Sequence, residues 1–106
     1  MIVVTTNDLP GSRITAVHGV ARGNTVRSRS IIGNLGGGIQ SLFGGSLSVY
    51  ITLAETARQE AFDLLIRHAA EMGANTSVAM RCDANEIMSG ITEVLAYGTA
   101  VTVEPL

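Results

Sequence analysis

Residues 47–73 read LSVYITLAETARQEAFDLLIRHAAEMG, and this stretch decides the fold. At about 100° per residue, Tyr50, Leu53, Ala54, Ala57, Ala61, Leu64, Leu65 and Met72 fall on one stripe. That spacing predicts a helix over 47–72, with Gly73 as the residue that ends it. A second apolar patch, Ile51, Phe62, Ile66 and Ala69, lies beside the first, with Arg58 inside it and Glu55 one turn away. The apolar arc is roughly 200° wide, about twice what a single core contact needs. One sheet in a domain this small does not cover such an arc. A neighbouring subunit is therefore the expected cover, with Ile51, Arg58, Phe62 and Ile66 as interface residues and the Arg58 stem packed on apolar surface.

On either side of the helix the pattern changes to strands. Ile2 to Thr6 and Ile14 to Arg22 are rich in β-branched residues, and Asn7-Asp8-Leu9-Pro10-Gly11 between them is a turn. After Gly73, strands are expected at Asn75 to Asp83 and Ile91 to Val103, with Ala84 to Gly90 as the connection. Asn24 to Gly45 carries six glycines between apolar residues spaced by three and four, and is expected to form a short helix. Gly36-Gly37-Gly38 reads either as an anion-cradling nest or as close backbone packing, and no phosphate-loop pattern accompanies it. The expected architecture is α+β over one domain, 1–106: a mixed or antiparallel sheet of about four strands packed on one long and one short helix.

Composition narrows the function. The chain of 106 residues is 46% hydrophobic and 15% charged, against a usual charged share of about 25%. The deficit of charge again suggests a surface covered by a partner. Net charge is −2, Lys is absent and the Arg residues are scattered, so the basic stripe of a nucleic-acid binder is missing. The N-terminus lacks the charged and apolar regions of a signal peptide, and no apolar run reaches the ~18 residues of a membrane span. With a single cysteine, Cys82, an internal disulfide is excluded and a cytoplasmic location is expected.

The order of residues resembles a known family. Gly44-Gly45, Tyr50, Ala57-Arg58-Gln59-Glu60-Ala61, Gly73-Ala74-Asn75, Met80-Arg81, Asp83, Glu86-Ile87 and Glu93 to Val101 stand in sequence, with Pro10-Gly11, Gly19 and Gly23 to Arg27 before them. This is similar to the YbjQ-like family, whose label refers to heavy-metal binding, and the likeness covers nearly the whole chain. It implies a dodecin-like α+β subunit assembling into homopentamers, with no defined catalytic residues. Thr76-Ser77 and Cys82 depart from the family pattern, which argues against Cys82 as a functional thiol of the family.

Candidate chemistry is sparse. A transition-metal site needs three or four converging His, Cys, Asp or Glu ligands. Two His and one Cys, far apart, do not supply one within the sequence, although symmetry in an oligomer multiplies each ligand. His18 is expected as a partly buried, hydrogen-bonded strand residue, His68 as a group satisfying a terminal helix carbonyl, and Cys82 as a small buried hydrophobe. Arg81 and Asp83 share a strand face at i, i+2, and with Glu86, Glu93 and Tyr97 they form the candidate ligand set. That set reads either as a salt-bridge network at a subunit boundary or as a small-ligand or cation site between subunits. No nucleophile–base arrangement or GxSxG elbow is present, so no catalytic residue and no cofactor is assigned. The expectation is a homo-oligomer, structural or small-ligand-binding. The alternative is a heavy-metal-binding protein with sites between subunits. A third, weaker possibility is an enzyme on a small phosphate compound using Gly36 to Gly38 and Arg27 or Arg29.

Overall fold

A computed structural model of the chain describes residues 1–28 and 46–106. Its described elements are β1 (Ile2–Val3), β2 (Ser12–Ser28), α1 (Ser46–Glu71), β3 (Thr76–Met88) and β4 (Ile91–Pro105). The strands form one mixed sheet in the order β1-β3-β4-β2, with β1 parallel to β3 and the two long pairs antiparallel. The fold class is α+β, a four-stranded mixed sheet with one described long helix across one face.

The helix ends as its sequence dictates. Gly73 adopts φ +90°, and the Gly73 and Ala74 amides donate to the Ala70 and Ala69 carbonyls at 3.0 and 3.1 Å. That pair of bonds is a Schellman motif, which satisfies carbonyls the helix would otherwise leave bare.

The buried stripe of α1 is Ala57, Ala61, Leu65 and Ala69, one residue per turn, packed with Ala21, Val94, Ala96 and Ala100. This corrects the helical projection: Ala69 belongs to the core, whereas Ala54 and Leu64 are exposed. The cause is a close backbone approach at Gly23 of β2. A Cβ there would lie 2.3 Å from the Ala61 carbonyl oxygen and 2.4 Å from the Leu65 nitrogen. With alanines on the helix and glycine on the strand, the two backbones touch, and the helix turns its smallest residues to the sheet.

The strands differ from expectation in length. β2 runs through Asn24 to Ser28, which had been assigned to the glycine-rich helical segment; the rest of that short helix, including Gly36 to Gly38, lies outside the described residues, as does Arg29. Ala84 to Met88 continue β3 instead of forming a connection, so only Ser89 and Gly90 turn the chain between Met88 and its partner Ile91. Alanine, asparagine and glutamate are weak strand formers, but a ladder to β4 that is regular from Arg81 to Glu86 overrides propensity here. β1 is shorter than Ile2 to Thr6, although Val4 and Thr6 still bond the irregular part of β3, where Ala79 takes φ +54°.

Candidate functional site

Register assigns every candidate to a face. β4 is paired without interruption along its length, and its Val94, Ala96 and Ala100 point under α1. The opposite face of the sheet therefore carries Ile91, Glu93, Leu95, Tyr97 and Thr99 of β4. Their partners on that face are Arg81, Asp83 and Asn85 of β3 and Val20, Arg22, Asn24 and Val26 of β2.

Four of the five predicted ligand residues meet on this open face. Arg81 pairs directly with Tyr97, Asp83 with Leu95, and Glu93 lies diagonal to Asp83. Glu86 does not join them. It pairs with Thr92 on the other face, and its Oε1 accepts from the Gly90 amide at 2.8 Å, which fixes the β3–β4 turn. Arg81 makes no ion pair with Asp83: its Nη1 donates to the Thr5 and Met80 carbonyls at 2.9 and 2.8 Å, tying the N-terminal segment to the irregular part of β3. Glu93 accepts from Asn24 Nδ2 at 3.1 Å. The open face thus holds two carboxylates, Arg81 committed to backbone, and Tyr97 with Arg22 opposite it on β2. Among the described residues of one copy, no ion pair joins these side chains to one another.

The predicted interface residues lie along one flank of α1. Ile51 is exposed, while Phe62 and Ile66 are half-buried. Arg58 donates from Nη1 to Glu55 Oε1 at 2.7 Å with both side chains in solvent. This flank faces β3, because α1 packs on β2 and β4 and barely touches β3. Arg58, Ala54, Ala57, Ala84, Thr92 and Val94 line a shallow cavity of about 190 Å³ there, together with Leu53 and Arg27. Arg27 in turn is ion-paired with Glu60, which ties β2 to the other flank of the helix.

Three single-residue expectations change. Cys82 is exposed and free, because the outer half of β3 projects past the edge of α1. His18 is exposed, with Nε2 2.7 Å from Thr102 Oγ1. His68 does not bond a helix carbonyl; its Nδ1 accepts from the Arg22 amide of β2 at 3.0 Å. The outer edge of β2 needs such a partner, since β2 ends the sheet.

A feature that sequence reasoning missed is the apolar row on the open face of β2. Ile14, Val17, Val20 and Val26 are paired with Val103, Val101, Thr99 and Glu93, so they stand opposite the helix, and all four are exposed, Val17 by 68%. Two register shifts in β2, between Ile14 and Ala16 and between Val17 and Gly19, bring them to one face. Simple alternation hid the row by placing Val17 with Thr15.

Comparison with known proteins follows this geometry. The YbjQ family model, described as "Putative heavy-metal-binding", matches residues 1–104. A UPF0145 protein of Solibacter usitatus is 54% identical over 103 residues, covering 97% of this chain and 92% of the relative. A UPF0145 protein of Chromobacterium violaceum is 53% identical over 105 residues, covering 99% and 90%. Among solved structures, a protein of unknown function of the DUF74 family from Pediococcus pentosaceus superposes with a TM-score of 0.58 over 98% of both chains. At 15% identity that likeness concerns the fold alone. Among the described residues, no helix is long and apolar enough to cross a membrane.

Proposed function

The chain belongs to the YbjQ-like family, and on that premise we propose that it is the subunit of a cytoplasmic homo-oligomer, a dodecin-like pentamer, that serves as a structural or small-ligand-binding assembly and performs no catalysis of its own. The observation that carries this reading is the exposed row Ile14, Val17, Val20 and Val26 on the sheet face opposite α1. A two-layer domain normally buries one face of its sheet and presents polar residues on the other. Burying each of these side chains gains about 1.5–3 kcal/mol.

A second copy is the occupant the chain's own chemistry favours. Among the described residues, both ends of the sheet are unpaired strands: β2 at one side, and β3 beyond its short pairing with β1 at the other. β2 contains Arg13, Arg22 and Arg27 and no acid, whereas β3 contains Asp83 and Glu86 with Arg81. Arg13 and Arg27 are paired with Glu104 and Glu60 within the copy, but the two edges are unlike, which suits a head-to-tail contact, and such contacts form rings where the rotation closes. Five-fold closure rests on the family resemblance. In such a ring, Ile51, Arg58, Phe62 and Ile66 form the helix part of the contact, and Arg81, Asp83, Glu93 and Tyr97 are the ligand-facing set.

Amide hydrogen exchange tests the reading. Among the described residues, the outer-edge amides of residues 81–88 have no strand partner within one copy. They are expected to be protected at concentrations where copies associate and to exchange rapidly on dilution. Rapid exchange at every concentration counts against it. The family description favours a second reading, in which the same assembly binds heavy metal between subunits.

A further inference from the structure

We infer that one copy of this chain does not hold a heavy-metal ion by itself, so that any such site takes its ligands from at least two copies. The inference stands on the donors of a single copy and holds whatever the stoichiometry of the assembly proves to be.

Zinc, copper and cadmium sites are built from three or four converging imidazole, thiolate or carboxylate groups. The donor supply is fully visible, because residues 29–45 contain no His, Cys, Asp or Glu. Among the described residues, no group of three or more such side chains comes together.

Each soft donor is also locally isolated. His68 Nδ1 accepts the Arg22 amide, so a metal at that nitrogen would strip the amide of its partner. His18 Nε2 is bonded to Thr102 Oγ1, and its ring lies beside Gly73, which offers no ligand side chain. Cys82 stands opposite Ala96 on β4, with Ala84 next on its own strand face. Its sequence neighbours Arg81 and Asp83 point to the other side of the sheet, and Met80 packs against the core. Among the described residues, Cys82 belongs to no group of three donors.

The exposure of Cys82 and the free half of β3 leave the thiol open to a neighbouring copy. Symmetry would then complete a donor set that one chain lacks.

Crystals of tag-free protein soaked in cadmium, with anomalous difference maps, test the inference. The expected result is either no bound cadmium or cadmium whose protein ligands come from two or more copies. Cadmium held by three or more side chains of one copy overturns it. Calorimetric titration of Cd²⁺ into the chain diluted until it is monomeric gives a second readout. No saturable uptake agrees with the inference, and saturable binding of one ion per monomer overturns it.

Discussion

Gly23 of β2 lies so close to Ala61 of α1 that a Cβ on the glycine would sit 2.3 Å from the alanine's carbonyl oxygen. The contact sets how near the helix comes to the sheet and therefore which helical residues form the core. Because the obstacle is helix backbone, no rotamer change relieves it. Gly23→Ala is expected to cost about 3 kcal/mol, the upper end for overpacking. Urea denaturation measures it, and an unchanged midpoint would show that the helix can shift outward at little cost.

Leu64 and Leu65 are adjacent in sequence and opposite in role. Leu65 is fully buried, whereas Leu64 is 37% exposed. Leu65→Ala is expected to destabilise the fold by about 2–5 kcal/mol through the cavity it leaves, and Leu64→Ala by about 1 kcal/mol or less. Thermal melts of the two variants compare them directly. Equal losses would place the helix in a different rotation.

Ser77 is completely buried, its Oγ has no hydrogen-bond partner among the described residues, and it sits over Gly98. A buried hydroxyl without a partner carries a desolvation cost that nothing offsets. Ser77→Ala is expected to leave stability unchanged or raise it by about 1 kcal/mol. A clear loss in chemical denaturation would reveal a bond to Ser77 that one copy does not show.

The Arg58–Glu55 pair is exposed on both sides. Arg58→Ala is therefore expected to change the stability of an isolated copy by about 0.5 kcal/mol or less, while weakening association measurably in sedimentation equilibrium. Phe62→Glu, which places an unpaired charge on the same flank, is expected to dissociate the assembly. Unaltered association in both variants would remove this flank from the interface.

Much of the fold was legible in the sequence. The long helix and its glycine stop followed from periodicity and local chemistry. What periodicity could not show was rotation: the projection placed Leu64 in the core and Ala69 outside it, because the backbone contact at Gly23 is a tertiary fact. The outer half of β3 was missed for a related reason. Ala84, Asn85 and Glu86 have poor strand propensity and extend because β4 offers a ladder. Of the ligand set, Arg81, Asp83, Glu93 and Tyr97 were brought to one face by alternation, whereas Glu86 required the observed register. Cys82 was expected inside because cysteines usually are, and it is outside because α1 stops short of β3. The exposed row on β2 was hidden by two register shifts that sequence alternation does not reveal.

The measurement closest to the central claim is the mass of the tag-free chain in solution, by light scattering behind size exclusion at micromolar concentration. Association of copies through the open sheet face and the α1 flank, with the five-fold closure that the family resemblance implies, predicts a mass near 55 kDa, about five times the 11.0 kDa of one chain. It also predicts that Val20→Glu, which puts a charge into the exposed row, reduces that mass to a single chain. A wild-type mass of 11.0 kDa at every accessible concentration would contradict the claim.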